Sequence, residues 1–393
     1  MRVFIAGIDG YLGWALAQFL TAKGYVVAGA DGLLRRQWVE EMGSNSAIPI
    51  ASYEARIKAF NDYFSTELDF RIGDLCDYDF ISNFIREFQP DAIVHLGQMP
   101  SAPYSMIDVK HAVWTQQNNI TSNMNLLWII KDICPDAHLV KLGTMGEYGT
   151  PNMDIPEGFF EIEFRGKVDK LPFPRQAGSF YHQSKVFDSH NTLFANKMWE
   201  IRATDVMQGV VFGTRFPGMG LGEAFNTRLD FDQAFGTAIN RFCCQAIVNH
   251  PLTLFGEGNQ KRGFLPLKDS MECLELAIKN PAEIGEYRVF NQFESCYTLH
   301  ELAHMVQEEA RSLGIYVDIQ HYENPRKELE NHYYNPDREN LLDLGYEPSD
   351  DIQSEIRSML KDLAEHKHCI EKNIDVLLPD IRWDGTKKRS QIL

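Results

Sequence analysis

The sequence predicts an α/β protein with a doubly wound parallel sheet and a smaller C-terminal α/β lobe. Three observations carry this. Short apolar runs alternate with helical periodicities from Val3 to Leu142, the pattern of a parallel sheet with helices on both faces. A glycine-rich turn, Gly7 to Gly13, joins the first run to the first helix. The length of 393 residues, with 44% hydrophobic and 24% charged residues, suits two or three folded units of about 150 residues each.

Taken in order, Val3–Ala6 reads as a strand, Leu12–Lys23 as a helix and Tyr25–Ala30 as a second strand. The stretch from Leu33 to Thr66 is too long for a plain connection and reads as an insertion, about residues 33–66. Leu68–Ile72 is the third strand, Tyr78–Phe88 a helix, Ala92–Leu96 the fourth strand, Asn118–Cys134 a helix and His138–Leu142 the fifth strand. Thr150 to Gln176, rich in Pro, Gly and charge, reads as a loop or hairpin over the mouth of a site. Phe180–Trp199 is helical and Ile201–Phe212 is a sixth strand, which closes a first domain at residues 1–212. Beyond it, helices are expected at Phe235–Asn249, Leu267–Ile278 and Leu299–Leu313, and strands at Leu252–Phe255, Tyr287–Asn291 and Val317–Tyr322. These make a second lobe, residues 213–393, from which 285–297 is a candidate to return to the first sheet. Asn335-Pro336 reads as an N-cap with Pro at the first helical position, and Trp383 as the main apolar anchor of a polar tail.

Charge narrows the function. The 38 basic and 55 acidic residues give a net charge of −17, a field that repels phosphate backbones and anionic lipid. Nucleic acid and membrane are therefore not expected as partners. No apolar run reaches the roughly 18 residues of a membrane span, and Met1-Arg2 leads into Val3 with no signal-peptide pattern. The seven cysteines are odd in number and lack CxxC spacing, which points to reduced thiols in a cytoplasmic protein, with neither a disulfide framework nor a metal site.

Gly7, Gly10 and Gly13 follow a strand and open a helix. The first permits a tight turn, the second lets the backbone approach a pyrophosphate, and the third lets the helix pack on the sheet. Asp31 ends the second strand, where a carboxylate accepts hydrogen bonds from an adenosine ribose and repels a 2′-phosphate. The expected cofactor is NAD, although Arg35 and Arg36 stand close by. Gly73-Asp74-Leu75, at the end of the third strand, suits an adenine contact or a helix cap.

A second set is Tyr181 and Lys185, four apart on one helix face. An ammonium beside a phenol lowers its pKa, and a tyrosine tuned this way can take a hydroxyl proton as hydride leaves. Lys185 could also hold the nicotinamide ribose. Thr144 closes the fifth strand, at the carboxyl edge where open parallel sheets bind ligands, and is placed to hydrogen-bond the same hydroxyl. Glu147 nearby reads equally well as a local cap.

These sets together resemble the extended short-chain dehydrogenase/reductase superfamily, whose NAD-dependent epimerases and dehydratases modify nucleotide-activated sugars. The resemblance to a sulfite-using branch of it covers nearly the whole chain. It is carried by Asp9-Gly10-Tyr11, residues 101–108 (SAPYSMID), residues 140–152 (VKLGTMGEYGTPN), Ser179-Phe180-Tyr181-His182, Phe235-Gly236-Thr237-Ala238, Phe290-Asn291-Gln292-Phe293 and His332-Tyr333-Tyr334-Asn335. It implies a Rossmann domain with tightly held NAD, a UDP-glucose-like nucleotide sugar as substrate, sulfite or a sulfite donor as second partner, and, by analogy of fold, a homodimer through residues 101–134 and 180–199. C4 is oxidised with Tyr181 as base and Thr144 as partner. The resulting ketone acidifies C5, water leaves C6, sulfite adds there, and hydride returns to C4. His182 and Met145 fall where the chemistry at C5 and C6 occurs, with His182 an acid/base or a sulfite contact. The cofactor set implied is Gly7, Asp9, Gly10, Tyr11, Leu12, Gly13, Asp31, Arg35, Arg36, Asp74, Leu75, Leu96, Asn118, Tyr181, Lys185 and Gln208. The substrate set is Tyr104, Thr144, Gln208, Asn226, Arg228, Arg262, Arg326 and Tyr333. Arg262 is expected to grip the pyrophosphate, because a guanidinium pairs bidentately with phosphate.

The chain departs from that branch just before SAPYSMID, where Gln98-Met99-Pro100 stands in place of Glu-Gln-Arg. A carboxylate and a cation suited to steering a sulfite anion are both gone. Gly32 replaces an asparagine after the cofactor carboxylate, and Pro266 and Lys268 interrupt a more usual strand. Two rivals therefore stay open: a nucleotide-sugar epimerase or dehydratase without the sulfite step, and a non-catalytic NAD-binding sensor.

Overall fold

The computed structural model describes residues 1–329, 331–378, 380–386 and 391–392. Its elements in chain order are β1 (Arg2–Ala6), α1 (Tyr11–Ala22), β2 (Val26–Asp31), α2 (Leu34–Glu41), α3 (Tyr53–Phe64), β3 (Asp69–Ile72), α4 (Tyr78–Phe88), β4 (Ala92–His95), α5 (Val109–Ile133), β5 (His138–Thr144), β6 (Phe159–Phe164), β7 (Lys167–Pro172) and α6 (Phe180–Trp199). They continue with β8 (Arg202–Gln208), β9 (Val210–Phe212), α7 (Ala238–Ile247), β10 (Leu252–Phe255), β11 (Lys261–Pro266), α8 (Leu267–Lys279), β12 (Tyr287–Gln292), β13 (Ser295–Thr298), α9 (Leu299–Ser312), β14 (Ile319–Tyr322), α10 (Glu339–Asp343), α11 (Ile352–Glu365) and α12 (Lys367–Glu371).

Seven parallel strands form the main sheet in the order β12-β8-β5-β4-β1-β2-β3. The strand order reverses between β1 and β4, and the crevice at that switch point is where such sheets bind ligands. Both faces are covered, so the strands are apolar throughout: β1 and β4 are buried almost completely. On one face Trp14, Leu16, Phe19 and Leu20 of α1 pack with Met271, Leu274 and Ile278 of α8. On the other, Phe84, Ile85, Leu127 and Ile130 of α4 and α5 cover Phe4, Ile93 and Leu139. A separate core joins α7, α9 and α11 through Phe242, Leu302, Val306, Ile356, Met359 and Leu360.

Several sequence expectations shift for local reasons. The helix expected from Asn118 starts at Val109, because the Asp108 carboxylate accepts the His111 N–H at 3.0 Å and caps it. The strand expected over Ile201–Phe212 is two strands. At Gly209, whose N–H donates to the Gln292 carbonyl at 2.8 Å, the chain leaves the main sheet and β9 pairs with β11 instead. The helix expected from Phe235 starts three residues later, since Asp232 Oδ1 takes the Ala234 and Phe235 N–H groups into a turn. Asn335-Pro336 caps no helix: Pro336 bridges Ile155, and the next helix begins at Glu339. The 33–66 insertion holds α2 and α3, and the 150–176 segment holds the β6–β7 hairpin. The tail is anchored by Ile370 and Leu377, both fully buried, while Trp383 stands half-buried at the cavity described below.

Candidate active site

A cavity of about 720 Å³ opens along the carboxyl edges of β1, β2, β4, β5 and β8 and runs toward α7 and β11. Its floor at one end is the turn between β1 and α1. Gly7 adopts φ +93°, and a Cβ on Gly13 would lie 2.1 Å from the Gly7 carbonyl, so helix and turn can meet only as glycines. The N-terminus of α1, with no acidic residue in its first turn, opens at the cavity through Gly10, Tyr11 and Leu12. Asp31 lines the wall beside it and accepts the N–H groups of Leu33 (2.7 Å) and Asp9 (3.0 Å). Burial, with Asp9 nearby, pushes its carboxyl up to about 6.

Both arginines near Asp31 are held elsewhere. Arg36 pairs with Asp9 through two bonds of 2.8 Å, and the buried Arg56 pairs with the same carboxylate at 2.8 Å. Asp9 and Arg36 therefore neutralise each other away from the cavity, contrary to the expectation for both. Arg35 does line the cavity, but it pairs with Asp230 at 2.7 Å and stacks 3.9 Å from the Phe235 ring centre. Leu12, Asp74, Leu75, Leu96 and Asn118 line the same end, as does Tyr11, whose hydroxyl donates to the Gly213 carbonyl at 2.6 Å.

The structure brings Thr144, Met145, Tyr181, His182, Lys185 and Gln208 together on the middle of the wall. Ser179 caps α6 by accepting the His182 N–H at 3.2 Å, which fixes the start of the helix that carries Tyr181, His182 and Lys185. Glu147 is a cap: its Oε1 accepts the Thr144 N–H at 3.2 Å, and its Oε2 accepts the Ser189 hydroxyl at 2.8 Å. The electrostatics correct one expectation. The Tyr181 phenol is pushed up, not down, because burial and the Glu147 carboxylate outweigh the hydrogen bond from Thr144 and the charge of Arg35. The Lys185 ammonium, expected to lower it, donates to Gln98 Oε1 and, at 2.8 Å, to the Leu142 carbonyl. His182 packs on Gly146, where a Cβ would lie 2.3 Å from its Nε2, and its Nδ1 meets Ser179 Oγ at 3.0 Å. Burial, then the charges of Arg326 and Arg262, press it down to about 3, so it is a neutral imidazole. Gln208 donates to Gln292 Oε1 at 3.0 Å, within the wall.

At the far end, Arg228, Arg262 and Arg326 line the cavity. Arg262 pairs with Glu328 at 2.9 Å and meets His332 Nε2 at 2.8 Å. Three expected contacts lie off it. The Tyr104 hydroxyl donates to Glu41 at 2.7 Å, inside a packed aromatic cluster with Trp38 and Phe235. Asn226 faces Pro49, from the insertion, at 3.4 Å. Tyr333 points outward to Asp154 at 2.5 Å, and its neighbour Tyr334 lines the cavity instead. Sequence reasoning also missed Arg241. Its side chain lines the cavity, is 7% exposed, lies 4.8 Å from the Phe255 ring centre and leaves Nε without a partner among the described residues. No carboxylate among the described residues pairs with it, and a buried guanidinium in that state has donors free for an anion or a carbonyl.

The class follows from the fold and this wall together. Residues 3–291 match the NAD dependent epimerase/dehydratase family, and the chain belongs to that family. Among curated relatives it is 46% identical to the chloroplastic UDP-sulfoquinovose synthase of Spinacia oleracea over 392 residues, covering 100% of this chain and 81% of that protein. It is 43% identical to the UDP-sulfoquinovose synthase of Sulfolobus acidocaldarius, covering 98% of each. In fold it superposes on the UDP-glucose 4-epimerase of Thermotoga maritima with a TM-score of 0.69 at 15% identity, over 93% of this chain and 99% of that one. No helix among the described residues is long and apolar enough to cross a membrane.

Proposed function

We propose that this chain binds NAD at the β1–α1 turn and acts on UDP-glucose through a 4-keto intermediate, adding sulfite at C6. The observation that carries the reading is the convergence of Thr144, Tyr181, His182 and Lys185 on one cavity that also holds Asp31 and the glycine turn. NAD, when bound, supplies the hydride acceptor. Thr144 holds the C4 hydroxyl and Tyr181 takes its proton. The neutral His182, one residue on and with ring centres 5.0 Å apart, is placed to accept the C5 proton. Residues 213–393 supply most of the nucleotide end through Arg228, Arg241, Arg262 and Arg326, so the two-part division of the chain belongs to this reading. The fit to NAD rather than its 2′-phosphate rests on Asp31 with both neighbouring arginines already paired.

One observation favours a second reading. Of Gln98, Met99 and Pro100, Met99 is fully buried, Gln98 is bonded within the wall, and Pro100 presents no charge to the cavity. An enzyme that oxidises and epimerises or dehydrates without sulfite fits that wall. Mass spectrometry of UDP-glucose incubated in deuterated water, with and without sulfite, separates them. A sulfite-dependent sulfonated product supports the first reading. Deuterium uptake or an epimer without sulfonation supports the second, and neither product overturns both. The homodimer belongs to the proposal too: Val113 and Trp128 on α5, and Phe187, Phe194 and Met198 on α6, are exposed apolar side chains on adjacent helices. A sedimentation mass of one chain would overturn it.

Asp31 gives a pH prediction. A ribose hydroxyl donates to the ionised carboxylate, whose pKa in the ligand-free chain is about 6. This value is raised above the usual Asp of about 3.9, so ionisation costs the folded chain stability as pH climbs through that window. NAD repays it, and its affinity rises with pH by at most about tenfold per unit below 6, then levels off. The thermal shift on adding NAD to cofactor-stripped protein should be larger at pH 7 than at pH 5. Asp31→Asn should remove the difference, and equal shifts in the unsubstituted chain would refute the assignment.

A further inference from the structure

Gln98 lies 5% exposed in the cavity wall, three residues beyond β4, between two charges of α6. Lys185 and Asp188 are one helical turn apart and are both buried. Side chains at that spacing are neighbours and ordinarily pair when they carry opposite charge. Here they do not. The Gln98 amide stands between them, with Oε1 accepting from Lys185 Nζ and Nε2 donating to Asp188 Oδ2 at 2.7 Å and to the Asn119 carbonyl at 2.8 Å. The amide orientation is fixed by chemistry: the Asn119 carbonyl can only accept, so Nε2 faces it and Oε1 faces Lys185, while burial pushes the Asp188 carboxyl up to about 7. Asn119 clamps the segment through Met99, accepting its N–H at 2.8 Å and donating to its carbonyl at 3.1 Å.

We propose that Gln98 is a positioning residue that keeps Lys185 turned toward the cavity by standing between it and Asp188. Gln98 Oε1 and the Leu142 carbonyl take two of the three ammonium donors, and the third is left for the cavity. Without the amide, nothing separates the ammonium from Asp188, whose Oδ1 has no hydrogen-bond partner among the described residues. In that low-dielectric setting the direct pair closes and Lys185 is drawn down the helix, away from Tyr181. Other charges act on Lys185 without changing this. Lys141 repels it from β5, while Glu147 and Asp205 attract it from the far side of the wall. His95, on β4, is pressed toward the neutral form by burial and by both lysines.

The inference rests on Tyr181 and Lys185 being the proton-transfer pair, and the test separates the two claims. The readout is the rate at which UDP-glucose reduces enzyme-bound NAD, followed by absorbance in the holoenzyme. Gln98→Met should slow it by roughly 10–100-fold, the scale of an ångström misplacement of a catalytic group, with KM for UDP-glucose changed by less than about threefold. Adding Asp188→Asn to Gln98→Met removes the competing charge and should restore the rate to within about threefold of the unsubstituted enzyme. A double variant no faster than Gln98→Met alone would mean that Gln98 only fills space, and would overturn the proposal. So would an unchanged rate in Gln98→Met. Gln98→Asn keeps the amide but falls one methylene short of Lys185, and the same cycle run on it decides the question if the Met variant does not fold. Tyr181→Phe is the control: if it leaves reduction unchanged, the reading of the site fails, and not the role of Gln98.

Discussion

Tyr181→Phe should lower turnover of UDP-glucose by about 10³-fold while the protein still folds and still binds NAD. The phenol's side-chain hydrogen bond is to Thr144, whose hydroxyl keeps the Gly146 N–H as a partner at 3.2 Å when the phenol is lost. The backbone N–H of Tyr181, which donates to Ser105 Oγ at 3.0 Å, is untouched by the change. What is lost is the group that, in the proposed function, takes the hydroxyl proton. The phenol is held above its usual pKa, first by burial and then by Glu147, so in the ligand-free wall it is fully protonated at neutral pH. A step that needs the phenolate therefore speeds up as pH rises, and this dependence should vanish in the phenylalanine variant. Thr144→Val should show the same direction with a smaller loss, since it removes a hydrogen bond to the hydroxyl and leaves the base. Rapid-mixing absorbance at several pH values, with bound NAD quantified separately, checks both. Turnover within a few-fold of the unsubstituted enzyme would show that another group takes the proton.

The parts of this site that were legible in the sequence are those set by local geometry. Gly7, Gly10 and Gly13 lie between a strand and a helix, and Asp31 lies at the end of the next strand, so four residues of one motif fix one end of the cavity. Tyr181 and Lys185 are placed by helix spacing alone. The illegible parts depend on partners far away in sequence. Arg36 stands near Asp31 but is taken by Asp9, 27 residues back, with Arg56 of the insertion on the same carboxylate. Tyr104 is taken by Glu41, also from the insertion. Tyr333 and Tyr334 lie in extended chain, where neighbouring side chains face opposite ways, so choosing between them needs the register of the bridge from Ile155 to Pro336. Arg241 carried no spacing signal. Its meaning comes from being buried at the cavity with no carboxylate paired to it among the described residues, which only the packing of α7 beside β10 reveals. For Lys185 the sequence gives the helix face it shares with Tyr181 but not the direction in which the phenol is shifted. Spacing gives the shared face, but the balance between burial and charge needs the whole wall.

Asp205→Ala should destabilise the protein by about 3–5 kcal/mol, the usual cost of leaving a buried charge unpaired. Asp205 and Lys141 stand opposite each other on β8 and β5, both fully buried, with Nζ and Oδ1 at 2.9 Å. Burial alone would push the carboxyl up, but the Lys141 charge and hydrogen bonds from Tyr287 and Lys141 outweigh it and hold it below the usual carboxylate range. The Tyr287 hydroxyl donates to Oδ2 at 2.6 Å, which ties β12, the edge strand, to the same pair. Removing the carboxylate leaves the Lys141 ammonium with Ser189 Oγ at 3.0 Å as its remaining hydrogen-bond acceptor and with only the unbonded carboxyls of Glu147 and Asp188 in its field, a weaker setting than the direct pair. The loss should reach the site as well. Ser189 donates to Glu147, and Glu147 holds the Thr144 N–H, so a shift of Lys141 toward Ser189 moves Thr144, which lines the cavity. Urea unfolding at pH 7 measures the first effect and the NAD-reduction rate the second. The double change Lys141→Met with Asp205→Leu replaces the pair with apolar side chains of similar size and should unfold less readily than Asp205→Ala, because the ammonium is removed together with its bonded carboxylate. If the double variant is the less stable of the two, then the pair is attractive beyond its desolvation cost, and the sheet between β5 and β8 is held by electrostatics more than by packing.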